Sequence, residues 1–345
     1  MILKKGKAQA ETGMIEDNNR DSSQQTPSTE SVTFRTFVGN NFSDFMGSMV
    51  RKSPKSGAYL ANQIMQNASR LYNIIEVEKK GTTEKRKCYA PCYSLKQLQK
   101  SLLRELETMV QPHEAAHGFT KGKSNTTAAK LVATEMKHEK YTVINQDLEK
   151  AFPSVDGRQI RRIFRKLGFT SWQTHIAAKI CSYKGELATG SPVSPMVLNL
   201  VLSKLDEKLS AVAKKYSGTF VRYADDLTLS INTHKNKVIC RAKAEMKRII
   251  KDEGFTPHPN KRKVTRLGKD SDKAETVGVS LAKDCTRPPQ RLRRTLFHVA
   301  KLFGLNTTSA DEHLKDKVKL AAQKAEPDDP LKWIGLGYYA YFKSV

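Results

Sequence analysis

Long apolar runs are missing. Nowhere in the 345 residues do apolar positions approach the 18 or more in succession that a membrane-spanning helix needs. The opening MILKKGKAQAETGMIEDNN has no apolar core of the length a secretory signal requires, so the expected compartment is the cytoplasm. Cysteine is sparse and odd in number, at five. Cys88 and Cys92 lie four apart, but Cys181, Cys240 and Cys285 are isolated, and no paired histidines follow at finger spacing. That excludes a disulfide framework and a zinc finger, and it fits reduced structural thiols. No internal repeat is present, which excludes solenoid and propeller architectures.

Acidic charge is also short. Lys and Arg number 60 against 35 Asp and Glu, a formal net charge of +25. Residues 1–30 hold four basic and five acidic side chains, so that segment nets −1 and the rest of the chain +26. A compact fold with that excess repels itself unless a polyanion is its usual partner, and a phosphate backbone is the commonest one. A solubility surface or attraction to anionic lipid are the alternatives. With 38% apolar and 28% charged residues the chain is a polar globular protein long enough for a sizeable core.

Residues 1–30, rich in Ser, Thr, Gln, Asn and charge, read as a disordered tail. Helical periodicity appears over Leu60–Leu71 and Ser94–Met109; in the second, Leu95, Leu98, Leu102, Leu103 and Leu106 recur at three- and four-residue steps. Tyr72–Pro91 between them predicts a hairpin with a basic, Gly-containing turn. Tyr141–Asp147 predicts a mostly buried strand, and Asp156–Leu167 and Trp172–Cys181 predict helices. A Gly/Pro-rich loop, Ala188–Pro195, leads into a helix with Pro195 in its first turn. Thr219–Ile231 predicts two strands joined by a tight acidic turn, Lys235–Glu253 a basic amphipathic helix, Thr276–Leu281 a short strand, and the region after Pro288 basic helices. The mixture is α+β.

Two adjacent aspartates, Asp225 and Asp226, interrupt an apolar strand-forming run, where like charges repel and a strand disfavours Asp. Turn chemistry alone would explain them, because Asp favours turns. Asp147 adds a third carboxylate at the end of another apolar strand, where it needs a partner. If the two strands are neighbours, three carboxylates meet at one sheet edge. Such a cluster is stable chiefly when divalent metal neutralises it, and all-oxygen ligation suits magnesium. Two ions there would activate an attacking hydroxyl and stabilise a leaving pyrophosphate.

The order of motifs over roughly residues 70–300 resembles the reverse transcriptases, and most closely the bacterial retron-type group. The signature hairpin is Tyr223-Ala224-Asp225-Asp226 followed by Leu227-Thr228-Leu229-Ser230, and the first catalytic motif is Asp147-Leu148-Glu149-Lys150-Ala151-Phe152-Pro153-Ser154. His117-Gly118-Phe119 with Lys121-Gly122-Lys123-Ser124 is similar to the preceding fingers motif, Gly190-Ser191-Pro192-Val193-Ser194-Pro195 to the loop behind the template–nucleotide pair, and Pro259-Asn260-Lys261-Arg262-Lys263 to the basic turn after the catalytic hairpin.

The resemblance implies a right-hand polymerase with fingers, an antiparallel palm sheet carrying the aspartates, and a helical thumb. Its divisions would be a tail over 1–30, N-terminal helices and fingers over 31–140, a palm over 141–282 with a fingers insertion around 154–190, and a thumb over 283–345. Asp147 and Asp225 would bind two Mg2+ ions, with Asp226 in support and the backbone carbonyl of Leu148 as a further ligand. Phe152 would bar a ribose 2′-hydroxyl, or else be an ordinary core ring. Arg86 would reach the triphosphate, or else lie in a solvated basic turn. Lys261 would protonate pyrophosphate or simply contact phosphate, and Thr189 and Gly190 would border the nucleotide. The basic helix Lys235–Lys251 and the run Arg287–Arg294 would flank the duplex through phosphates. Tyr338, Tyr339 and Tyr341 are expected to pack a terminal helix in preference to stacking on bases.

Two positions depart from the family pattern. The usual Pro-Gln before the nucleotide-loop glycine is Ala188-Thr189, and the Val-Thr-Gly of retron enzymes is replaced by Thr276-Val277-Gly278-Val279. The resemblance thus implies an RNA-directed DNA polymerase acting on a dedicated, structured non-coding RNA, with dNTPs as substrates, an RNA/DNA duplex as product and an effector or toxin protein as a potential partner in phage defence. Template-independent or protein-primed synthesis is a close variant. A catalytically silent RNA-binding scaffold is the alternative from another class. A membrane-surface protein would need an apolar anchoring face that the basic helices lack.

Overall fold

The structure, a computed structural model, describes residues 2–3, 62–78, 85–136, 140–267, 274–282, 285–287, 290–307, 313–327 and 329–344. Ile2–Leu3 pairs antiparallel with Val110–Gln111; the rest of the tail expected over 1–30, and the hairpin tip at 79–84, lie outside the described residues. From residue 62 a helical segment runs into a 3-10 turn, Ala68–Leu71.

In chain order there follow β1 (Tyr72–Glu78), β2 (Lys85–Pro91), α1 (Tyr93–Met109), α2 (Asn125–Thr134), β3 (Tyr141–Leu148), α3 (Gly157–Lys166) and α4 (Ser171–Cys181). Next come α5 (Ser194–Val201), α6 (Ser203–Lys215), β4 (Phe220–Tyr223), β5 (Asp226–Ile231), α7 (Asn236–Asp252) and β6 (Pro257–Leu267). The chain closes with β7 (Ala274–Thr276), β8 (Val279–Ala282), β9 (Cys285–Arg287), α8 (Gln290–Leu302), α9 (Leu314–Lys324) and α10 (Pro330–Ser344).

Two compact units result, one drawn from Met1–His113 with Ala151–Ser203, the other from Glu114–Lys150 with Lys204–Val345. In the first, β1 and β2 form the expected hairpin, in register from Tyr72↔Pro91 to Glu78↔Lys85. α1 buries Leu95, Leu98, Leu102 and Leu106, the stripe legible in the sequence. Asp156 caps α3 and Thr170 caps α4, each in a reciprocal box with a glutamine three residues on, Gln159 and Gln173. Such boxes satisfy the amides that a helix start leaves without partners.

The second unit is built on a four-stranded antiparallel sheet in the order β6-β3-β5-β4. β3 is central and nearly all buried, which is why Tyr141–Leu148 reads as an apolar run without clean alternation. One core joins Val132, Ala129 and Ala133 of α2 to Tyr141, Val143 and Val221 of this sheet and to Val279 and Leu281 of a second sheet, β7-β8-β9. Farther along, Leu296, Val299, Leu314 and Val318 of α8 and α9 form another cluster, with Tyr338 of α10 packed on it. Tyr338 therefore serves packing.

Two expectations about local structure change. The single strand expected over Thr276–Leu281 is a hairpin, because Val277 (φ 45°) and Gly278 (φ 77°) reverse the chain between β7 and β8. Positive φ at both central residues is what a two-residue hairpin loop demands; Gly278 supplies it freely, whereas Val277 is β-branched and reads as strand. The basic segment Pro259–Lys263 lies within the long strand β6 and not in a turn, its register shifting by a bulge between Pro257 and Arg262.

Candidate active site

β3 and β5 are neighbours, and their register sets Asp147 directly opposite Asp226. The two carboxyl groups share a hydrogen bond, and Asp226 is pushed up to about 8 by burial first and by Asp147 second. Two carboxylates that close cannot both ionise without a cation, so one proton stays. Lys261 of β6 supplies the other positive charge, its Nζ 2.8 Å from Asp147 Oδ2. That contact raises the Lys261 ammonium above its ordinary value.

Asp225 occupies the two-residue turn between β4 and β5, closed by the Tyr223↔Asp226 pair. Leu148 N donates to the Asp225 carbonyl at 3.0 Å, tying the end of β3 to the turn. Ala224 reaches the turn through a left-handed φ of 57°, a conformation that costs a non-glycine residue about 1 kcal/mol. Two residues, Arg222 and Gly118, hold it there. Arg222, fully buried, forks onto Asp206 of α6 with Nε–Oδ1 and Nη2–Oδ2 both at 2.7 Å, and its Nη1 donates to the Ala224 carbonyl at 3.0 Å. The Arg222 backbone is itself paired: N to the Ala115 carbonyl and O from His117 N, each at 2.7 Å. Gly118 lies against the turn so closely that a Cβ there would meet Ala224 N at 2.4 Å.

The His-Gly motif expected in the fingers therefore backs the turn that carries Asp225. His117 is buried with Nδ1 2.9 Å from Thr127 Oγ1, while its Nε2 has no described partner. Burial, and then the nearby Lys123, push it down to about 4, so it is neutral. Neither Arg222 nor Asp206 was singled out from sequence. The signal was there: an arginine inside the strand FVRY, and an aspartate between Leu205 and Leu209 on the apolar stripe of a helix.

A cavity of about 340 Å³ opens on the carboxylate pair, lined by Asp147 and Asp226, by Asn260 and Lys261 of β6, and by Val277 and Gly278. The turn at its rim is held from two sides: Asn125 Nδ2 donates to the Val277 carbonyl at 3.2 Å, and Tyr341 Oη to the Gly278 carbonyl at 3.2 Å. Tyr341 thus has a structural contact of its own, and Tyr339 lies under Lys319 at 4.6 Å.

The remaining candidates belong to the first unit. Thr189 presents its carbonyl to Tyr89 N at 2.7 Å, which fixes the loop before Gly190 to β2. Gly190 follows at φ 104°, with Tyr89 O only 3.2 Å from where a Cβ would be, so both backbone and space require glycine. Phe152 is half-buried and Arg86 is exposed on β2, opposite Val77.

Residues 77–335 match the family Reverse transcriptase (RNA-dependent DNA polymerase). The chain belongs to the reverse transcriptases. It is 32% identical over 242 residues to the Retron Ec86 reverse transcriptase of Escherichia coli, covering 67% of this chain and 71% of that one. It is 31% identical over 211 residues to the Retron Mx162 reverse transcriptase of Myxococcus xanthus, covering 53% and 42%. The Retron Mx65 reverse transcriptase of the same organism is 29% identical over 229 residues, covering 61% and 52%. The chain spans about half the length of those two myxobacterial relatives. The retron-type resemblance holds despite the changed Val-Thr-Gly segment, and the α+β, right-hand polymerase fold holds with it. Among the described residues no helix is long and apolar enough to cross a membrane.

Enzymes of this family work with divalent metal ions, and the donor set suits a hard cation. Among the described residues no three His, Cys, Asp or Glu side chains are gathered at metal-holding distance. The structure pairs Asp147 with Asp226 across the strands and sets the Lys261 ammonium 2.8 Å from Asp147.

Proposed function

We propose that this reverse transcriptase copies a dedicated, structured non-coding RNA into DNA as the polymerase of a retron, with dNTPs as substrates and an RNA/DNA duplex as product. The observation that carries the reading is the register of Asp147 against Asp226, with Asp225 on the adjoining turn. Asp147, Asp225, Asp226 and the carbonyl of Leu148 would hold two Mg2+ ions. Bound there, the ions would acidify the attacking hydroxyl and neutralise charge on the leaving pyrophosphate. The chain's own residues do the rest. Arg222 and Gly118 keep the turn in place, so that the carboxylates are preorganised. Lys261, kept protonated by Asp147, is placed to meet pyrophosphate as acid or as counter-charge. Arg86 takes triphosphate oxygens with a forked guanidinium, Gly190 lets the backbone approach the nucleotide, and Phe152 bars the 2′-hydroxyl. In this reading β1–β2 with α3 and α4 are the fingers, the β6-β3-β5-β4 sheet the palm, and α8–α10 the thumb. The setting is the cytoplasm, and an effector protein encoded with the enzyme completes a phage-defence role.

The test is purification with co-bound nucleic acid, sequencing of that RNA and DNA, and repetition with Asp225→Ala/Asp226→Ala. A discrete RNA with complementary DNA that vanishes in the variant supports the reading, and a branched RNA–DNA joint specifies a retron. DNA attached to a protein side chain points to protein priming. RNA without DNA in either preparation, with Mg2+ and dNTPs supplied, leaves a scaffold and refutes the polymerase.

A further inference from the structure

Residues 157–185 contain no Asp or Glu, yet they carry seven Lys and Arg and one His. In a chain that averages more than one acid for every two bases, a 29-residue segment without any is a local feature, distinct from the overall charge. The structure turns that segment into two packed helices, α3 and α4, within one unit.

α3 is divided along its length. Ile160, Ile163 and Phe164 are buried, while Arg158, Arg161, Arg162, Arg165 and Lys166 take the other side. Their spacing repeats a cation at every turn of about 5.4 Å, a step comparable with that between neighbouring phosphates on a nucleic-acid strand. Among the described residues only Arg158 has an ion-pair partner, Asp156 at 3.0 Å, which is already spent on capping the helix. The other basic helix, α7, is different. There Glu245 and Asp252 sit among the basic residues of the same helix, whereas α3 holds no acid at all. On α4, the exposed His175 lies beside the α3 face, lowered by burial first and then by Lys179 and Arg161 from the two helices, while Lys179 itself donates to the Met65 carbonyl.

An unbalanced guanidinium face of this kind fits phosphate, which it grips bidentately. An anionic membrane is the poorer fit, because the apolar residues of α3 are buried and a single exposed ring on α4, Trp172, makes no insertion face. We infer that the outer face of α3 and α4 is a docking surface for a double-stranded stem of the structured RNA, separate from the grip on the template–primer duplex. The inference rests on the RNA-dependent reading above. A-form RNA offers such a face its phosphates and 2′-hydroxyls without requiring base readout, so recognition here is of shape and charge.

The experiment uses the full chain and Arg161→Gln/Arg162→Gln/Arg165→Gln, three exposed or half-exposed changes to a good helix former. The probe is a labelled RNA hairpin of about 20 base pairs, read by anisotropy across a salt series. A parallel assay extends oligo(dT) on poly(rA). The expected result is a loss of about three in the slope of log Kd against log salt, since each phosphate contact contributes about 0.9 for a B-form duplex and about as much here. Hairpin binding weakens at least tenfold while homopolymer extension and Tm stay unchanged. The corresponding triple lysine variant keeps the slope. An unchanged slope, a loss confined to phosphatidylserine vesicles, or an equal fall in homopolymer extension overturns the inference; the last would assign the face to the template cleft. Failure of the wild-type protein to extend poly(rA)–oligo(dT) sinks the polymerase reading instead and leaves the hairpin measurement standing on its own.

Discussion

Arg222→Met is the most informative perturbation of the Ala224–Asp225 turn. It removes both bonds to Asp206 and the donor to the Ala224 carbonyl, and it leaves a carboxylate at 0% exposure with no counter-charge. Breaking a buried pair from one side costs about 3–5 kcal/mol, because the surviving charge keeps its desolvation penalty without its partner. Asp206→Val should cost a similar amount by stranding the guanidinium. The double variant removes both charges and fills the space with apolar side chains, a change that is often nearly neutral. What remains is the Ala224 carbonyl without its donor, worth about 1–2 kcal/mol. The singles should therefore be strongly non-additive, with a coupling of several kcal/mol between residues in direct contact. Urea unfolding at pH 7 measures this, followed by fluorescence and far-UV circular dichroism so that coincident curves establish one transition. The double variant should then be folded and yet at least tenfold slower in nucleotide addition, since the Ala224 carbonyl has lost the donor that draws it toward its left-handed φ. Additive singles would refute the account, and so would a double variant with wild-type kcat.

Two further outcomes follow from the same geometry. His117 is held near 4 in the folded chain against about 6.5 when unfolded, so between those values the unfolded chain binds the extra proton and stability falls as pH drops. Allowing for solvent screening at a partly wet site, the loss is on the order of 2 kcal/mol; wild type should show it in unfolding curves taken from pH 7 to 4 and His117→Gln should not, so parallel curves would exclude it. Phe152→Ala should lower the dNTP-to-rNTP ratio of kcat/KM by tenfold or more in single-nucleotide extension, while an unchanged ratio would return Phe152 to ordinary packing.

The sequence was most legible where one residue type had one physical reason to be present. Three aspartates in strand-forming runs had to meet something positive, and the leucine stripe of α1 had to face a core. Legibility failed where a residue's propensity opposed its conformation. Val277 reads as strand and turns the chain, and Pro259–Lys263 reads as a turn and lies in a bulged strand. It failed again for contacts between distant positions: nothing local connects Asp206 to Arg222, or Gly118 to Ala224, until α6 and the loop before α2 are placed behind the hairpin. The acid-free stretch at 157–185 was visible throughout, but charge becomes a surface only when the helices show which side is buried.

The central position of β3 has a consequence for how the molecule matures. Successive side chains of a strand face opposite ways, so sliding β3 by a single residue would carry Asp147 to the wrong side of the sheet. The bulge in β6 and the tie from Leu148 to Asp225 pin both edges of that strand. Chemical competence is thus an all-or-none report on strand alignment: a refolded sample divides into molecules that are fully able and molecules that are dead, and the yield of correct assembly is counted by titrating live sites instead of by averaging rates.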